Sequence, residues 1–143
     1  MNKEDFIDYF IKTSWHSLSR LYNSKAQKHG ITTSIAFVLL NISSSEGTPA
    51  TKIAPTIGLE TRSLTRILRK LEEDGFIYRA KDLNDKRSVR VFLTEKGKEK
   101  KGEAIKTVKA FNEFIKRSIG KKDLMTYTRV SRKIIELVEH DQD

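Results

Sequence analysis

The sequence predicts a mainly α-helical chain with one small β-hairpin, arranged as a winged helix-turn-helix between N- and C-terminal helices. Three observations carry that reading. In residues 60–74, Leu64, Ile67, Leu68 and Leu71 follow the i, i+3, i+4, i+7 spacing of one apolar helix face, and Arg62, Arg66 and Arg69 point almost opposite. Past Gly75, two strand-like runs follow at 76–81 and 87–93, separated by a polar, basic loop at 82–86. In the second run Val89, Val91 and Leu93 alternate with Ser88, Arg90 and Phe92, the period of a half-buried strand. Before all of this, residues 51–57 form a short helical stretch joined to the arginine-bearing helix through Gly58-Leu59, which is a helix-turn-helix.

The remaining elements follow in order. Residues 4–28 predict a first helix, with Ile7, Phe10, Ile11, Leu18, Leu21 and Tyr22 on a broad apolar arc, Trp15 at its edge and Gly30 as its stop. Thr32 or Thr33 caps a second helix whose buried stripe is Ile35, Val38, Leu39 and Ile42. Residues 43–47 read as a polar loop. Pro55 lacks an N–H and crowds the preceding turn. The third helix must therefore be short and begin near Ala50 or Thr51, with Gly58 closing it. Glu60 is a poor helix cap, which leaves Thr61 as the expected cap of the fourth helix. After the hairpin, Thr94 stands where a cap belongs and Glu95 suits a first turn. The long helix that follows is polar all round over residues 96–102 and so predicted to be solvated there. Its second half carries Ile105, Val108, Phe111, Phe114 and Ile115. Gly120 interrupts it, and a last helix is expected from about 122 to 139, with Leu124, Tyr127, Val130, Ile134, Leu137 and Val138 on one side.

The 143 residues suit one compact core with helical extensions. With charged residues at 33% and no apolar run near the roughly 18 residues of a membrane span, a soluble, cytoplasmic chain is expected, without a membrane partner. Residues 1–5 lack the basic and apolar regions of a secretory signal. The absence of cysteine excludes disulfides and thiolate metal sites, and His29 and His140 stand alone in sequence, so no metal and no cofactor are expected. No P-loop, Gly-x-Ser-x-Gly or glycine-rich dinucleotide turn is present, and an enzyme is not expected. The formal charge of +9 implies a polyanionic partner. Residues 1–47 carry five basic and four acidic groups, whereas 48–93 carry ten and six, and 94–143 carry thirteen and nine. The excess begins where the winged helix begins. A helix with a leucine back and an arginine front suits the major groove of duplex DNA, and a basic hairpin suits phosphates or the minor groove beside it.

The first and last helices are amphipathic, yet they flank a unit with its own core. A two-fold dimer in which the terminal helices of both chains interlock is the economical way to cover them; folding back on the same chain is the alternative. Residues 31–102 are thus expected to form the DNA-binding winged helix-turn-helix, and 1–30 with 103–143 a helical dimerisation region.

The segments Ile53-Ala54, Gly58-Leu59, Leu64-Thr65-Arg66, Leu71-Glu72, Gly75-Phe76-Ile77-Tyr78-Arg79 and the run from Asp85 to Gly97 together resemble the MarR family of bacterial transcriptional regulators. The family's Asp-x-Arg signature and Leu-Thr-x-x-Gly segment are matched by Asp85, Arg87, Leu93, Thr94 and Gly97. The resemblance implies a homodimer and often a small anionic or aromatic inducer; the two-fold symmetry of such a dimer requires a pseudo-palindromic operator. It also implies a wing arginine, Arg87, that enters the minor groove and a wing aspartate, Asp85, that holds it. Four positions depart from the family's pattern: Glu60, Arg62, Leu83 in place of a frequent wing proline, and Pro55. Leu83 suggests a looser wing tip.

The expected function is a sequence-specific, ligand-responsive repressor; the alternative is an architectural or RNA-binding winged helix with no inducer. Arg62, Thr65 and Arg66 are the candidate base readers, because arginine can bond guanine O6 and N7 together and threonine offers a hydroxyl and a methyl. Thr61 and Arg69 belong to the same face. Ser63 and Lys70 suit phosphate. For Arg69 an i, i+4 pair with Glu73 on a solvated face is the competing reading. Lys86, Arg87 and Arg90 are the wing cations. Tyr9, Trp15, His16 and Arg20 are candidates for an effector site, with a surface stripe or dimer contact as the competing reading for Tyr9, His16 and Arg20, and a core or pocket-wall role for Trp15.

Overall fold

The computed structural model describes residues 2–141. Six helices and three short strands follow one another as α1 (Ile7–Lys28), α2 (Thr33–Leu40), β1 (Thr48–Pro49), α3 (Ala50–Ile57), α4 (Thr61–Glu73), β2 (Ile77–Lys81), β3 (Val89–Leu93), α5 (Glu95–Ser118) and α6 (Lys121–His140). The chain divides into two compact units, residues 1–107 and 108–143.

In the first unit each boundary has a local cause. A single 3-10 turn at Lys3–Asp5 precedes α1, and extended Phe6 separates the two. The expected helix from residue 4 therefore starts late. Thr32 caps α2 by accepting the Ile35 N–H at 3.2 Å. Helix α3 begins at Ala50 and is eight residues long, the shortness that Pro55 demanded, and Gly58 closes it at φ +68°. The N-cap of α4 is Glu60, whose side chain makes no cap bond. Thr61 is the first helical residue rather than the cap, so the first amides of α4 stay open.

The sheet holds one strand more than the hairpin. β3 lies in the middle, antiparallel to both neighbours, in the order β1-β3-β2. Ile77 faces Leu93 and Arg79 faces Val91 across one ladder, and Thr48 faces Val91 across the other. β1 is only Thr48–Pro49, too short to show a period, which is why residue patterning missed it. Its proline sits on an edge strand, where no ladder donor is required.

The core of this unit gathers Val38 and Leu39 from α2, Ile42 just after it, and Ile53 and Ala54 from α3. Leu64, Leu68 and Leu71 come from α4, and Phe76, Ile77, Val91 and Leu93 from the hairpin. Burying a leucine or isoleucine of this kind contributes about 1.5–3 kcal/mol. The leucine stripe of α4 is thereby spent inward, and the opposite face of the helix is fixed outward.

Thr94 and Lys96 tie the C-terminal end of α4 to the start of α5, and Lys101 ties α5 to the segment after α2. Thr94 Oγ1 donates to Gly75 O at 2.6 Å and accepts the Gly97 N–H at 3.1 Å. Lys96 Nζ donates to Asp74 O at 2.9 Å and lies 4.7 Å from the centre of the Phe76 ring. Lys101 Nζ donates to Ile42 O at 2.6 Å, and its partial burial lowers its pKa. The first half of α5 is therefore not solvated all round, as its composition suggested. Gly97 and Ala104 are buried, and the lysines lie across backbone carbonyls of the preceding elements.

In the second unit, α6 has no buried residue. Met125, Tyr127, Val130, Ile135, Leu137 and Val138 are exposed. In the first unit α1 buries only Ala26 among its residues, while Ile7, Phe10, Ile11 and Trp15 are exposed.

Candidate nucleic-acid interface

Arg62, Arg66 and Arg69 are exposed along α4, and none has an ion-pair or side-chain hydrogen-bond partner among the described residues. The Arg69–Glu73 pair that competed with a binding role is not formed. Instead Glu72 takes Arg79 of β2, with Nε 2.8 Å from Oε2, and this bond is the main reason the Glu72 pKa is lowered. Arg79 thus locks β2 to the last turns of α4. Lys70 pairs with Asp74 at 3.2 Å, so its charge is partly answered within the helix. Thr65 is exposed, but its hydroxyl donates to Thr61 O at 2.9 Å. It turns a methyl and oxygen lone pairs outward, not a free donor. Thr61 is exposed and Ser63 half-buried in the first turn, where the positive end of the helix dipole favours anions.

The wing is a seven-residue loop between β2 and β3, and it is ordered by its own acids. Asp82 N donates to Ser88 O, and Ser88 N donates to Asp85 O, both at 3.0 Å. Asp82 Oδ1 accepts the Asn84 N–H at 2.9 Å, and Asp85 Oδ1 accepts the Arg87 N–H at 3.0 Å. Asp85 therefore holds Arg87 through its backbone amide and leaves the guanidinium unengaged. Lys86 and Arg87 are exposed, without partners among the described residues. Leu83, the residue in the wing-proline position, is 98% exposed, yet the turn around it is closed by these bonds.

Arg90 differs from the other wing cations. It is half-buried, and its guanidinium is engaged through Nε by Asp82 and through Nη1 by Glu46 O and Gly47 O. Asp82, a buried carboxylate, was not singled out from the sequence. The available signal was an aspartate closing a strand two residues before Asn84, the spacing of an Asx-turn. The Asn84 amide, with the Arg90 guanidinium behind it, holds the Asp82 carboxyl below the usual aspartate range. Lys52 on α3 and Lys81 at the end of β2 are further exposed cations without partners among the described residues.

The residues proposed for an effector lie on α1 and are not brought to one point. Trp15 stacks on Phe37 of α2, with ring centres 6.3 Å apart. Tyr9 meets Phe10 edge to face, and Arg20 Nη2 lies 3.4 Å from Ser17 Oγ on its own helix. His16 is exposed. No group of histidine and acidic residues able to hold a metal ion occurs among the described residues, and no helix among them is long and apolar enough to cross a membrane.

Comparison with known proteins places this arrangement. A sequence profile of the MarR family matches residues 31–89. The chain is 37% identical over 87 residues to the HTH-type transcriptional regulator TtmR of Methylorubrum extorquens, an alignment covering 61% of this chain and 45% of that protein. It thus spans about half of TtmR. It is 28% identical over 107 residues to the HTH-type transcriptional regulator SarZ of Staphylococcus aureus, covering 74% of this chain and 72% of SarZ. Among solved structures, the S. aureus MepR–DNA complex superimposes with a TM-score of 0.82 at 17% identity, over 92% of this chain and 97% of that one, a likeness of fold. Family profile, relatives and fold agree with the residues of α4 and the wing: residues 31–89 of this chain carry the winged-helix domain of the MarR family.

Proposed function

We propose that the chain is a repressor that binds a pseudo-palindromic operator as a homodimer in the cytoplasm and is released by a small anionic or aromatic effector. The observation that carries the DNA reading is the row of exposed, unpartnered arginines on α4, backed by a leucine stripe buried in the core. An unpaired guanidinium is ready to replace water with guanine or phosphate acceptors at no cost of breaking an internal pair. Arg62, Thr65 and Arg66 read bases in the major groove. Thr61, Ser63, Arg69 and Lys70 meet phosphates, Lys70 by exchanging Asp74 for the backbone. Lys86 and Arg87 of the wing take the neighbouring phosphates and minor groove, with Asp85 as the support of Arg87.

The dimer is supported by the exposed apolar residues of α1 and of α6, too many for a solvated monomer surface. The effector reading rests on the aromatic residues Tyr9 and Trp15 and the ring and guanidinium nitrogens of His16 and Arg20 along one helix, and an effector must favour one spacing of the two α4 helices over another to shift anything.

Selection of bound duplexes from random DNA by the purified protein tests the reading. The expected product is a two-fold motif with half-sites about 10 base pairs apart or a multiple of that. An asymmetric motif, or none, contradicts it. Replacing Arg87 with alanine is expected to reduce the slope of log affinity against log salt by about one unit, as loss of one backbone contact does. An unchanged slope on titration from low to high salt would remove Arg87 from the interface.

A further inference from the structure

We propose that Arg90 is a positioning residue: it touches no DNA, and through Asp82 it fixes the loop from which Arg87 reaches out. This rests on the DNA-binding reading for its consequence, although the clamp itself can be measured without DNA.

The geometry is that of a pin through three segments. Arg90 Nε lies 3.2 Å from Asp82 Oδ2, and the two side chains are 24% and 8% exposed. Arg90 Nη1 donates to Glu46 O at 3.2 Å and to Gly47 O at 3.3 Å. Asp82 uses its other oxygen for the Asn84 amide. One carboxylate therefore joins the end of β2 to the wing loop, and one guanidinium joins both to the segment before β1. That segment is itself closely packed. Gly47 stands at φ +69°, and a Cβ there would come within 2.6 Å of the Phe92 ring. Lys101 of α5 holds the neighbouring Ile42 carbonyl.

A phosphate-seeking arginine would be left like Arg87, extended and unpaired. Arg90 would have to abandon a nearly buried carboxylate to reach DNA, and a buried charge stripped of its partner is strongly destabilising. Its spread of donors also suits this place better than a lysine, because one planar group serves a carboxylate and two carbonyls together. A loop already ordered loses less freedom on binding, so the clamp favours affinity without adding a contact.

The test uses two variants of the full chain, Arg90→Met and Asp82→Asn, with hydrogen exchange of the DNA-free protein and salt-dependent binding to the selected operator. Both variants are expected to lose protection at the Asn84, Arg87 and Ser88 amides while the amides of α4 stay protected. Both are expected to bind about tenfold more weakly, with the salt slope of the parent. Asp82→Asn is decisive because it removes a negative charge. If charge alone mattered, it would bind as tightly as the parent or tighter, and that result overturns the proposal. A fall of about one unit in slope for Arg90→Met, with the loop amides still protected, would make Arg90 a phosphate contact and overturn it as well. If the parent bound no duplex at all, the DNA reading would fail, and the exchange data would still decide whether the clamp orders the wing.

Discussion

Arg66→Ala is expected to weaken binding to the selected operator by about 1–3 kcal/mol and to relax preference at one base pair per half-site. The size follows from what the side chain can do. A guanidinium that bonds two acceptors of one guanine discriminates against other bases by about that much. Arg66 is exposed, has no internal partner, and projects from a helix whose opposite face, Leu64, Leu68 and Leu71, is locked in the core. Truncating it leaves no orphaned acid behind, so the loss reports on the interface alone. Binding to random duplex should change far less than binding to the operator. Equal weakening on both, measured side by side at one salt concentration, would reduce Arg66 to a backbone contact. Thr65 gives a companion test at smaller scale. Because its hydroxyl donates to Thr61 O, Thr65→Val should preserve whatever preference its methyl confers, whereas Thr65→Ser should not.

Gly97→Ala is expected to destabilise the fold by about 3 kcal/mol, at the upper end of what overpacking costs. The Cβ it introduces would sit 1.9 Å from the Phe76 carbonyl oxygen and 2.9 Å from its carbon. Both are backbone atoms, and neither can swing aside. That oxygen also accepts the Thr94 N–H at 3.0 Å, so relief by moving α5 away would break this bond and the Thr94 bond to Gly75 O. Gly102 is the control. It lies in the same helix with nothing within 4 Å of its would-be Cβ, so Gly102→Ala should stabilise by up to about 1 kcal/mol through helix propensity. Chemical denaturation of the two variants should move the midpoint in opposite directions. Stabilisation by both would mean that α5 does not press against the α4–β2 turn.

The Leu-Thr-x-x-Gly segment thereby acquires a physical meaning. Thr94 caps α5 and at the same time closes the end of α4, and Gly97 is small because the two elements meet there backbone to backbone. Residue patterning could not supply this, since Gly97 and Lys96 belong to a stretch that is polar on every side. Lysines usually mark water. Here Lys96 and Lys101 reach the Asp74 and Ile42 carbonyls, which exist as acceptors only once the chain has folded back on itself.

The sequence by itself determined the order of helices and hairpin, the inward leucines and outward arginines of α4, and the short α3 with Gly58 at its end. Each depends on residues within a few positions of one another, through helical period, strand alternation or the conformational freedom of a glycine. It also carried enough of the wing and of the segment after it to indicate the family. The third strand, the pairing of Glu72 with Arg79, and the division of the wing cations into free Arg87 and engaged Arg90 were decided by the tertiary structure alone. Arg90 meets Glu46 and Gly47 across more than forty residues of chain, and Glu72 meets Arg79 across a turn. Whether a charged side chain is available to a partner depends on which acids and carbonyls the fold brings within hydrogen-bond reach, and no spacing along the chain encodes that.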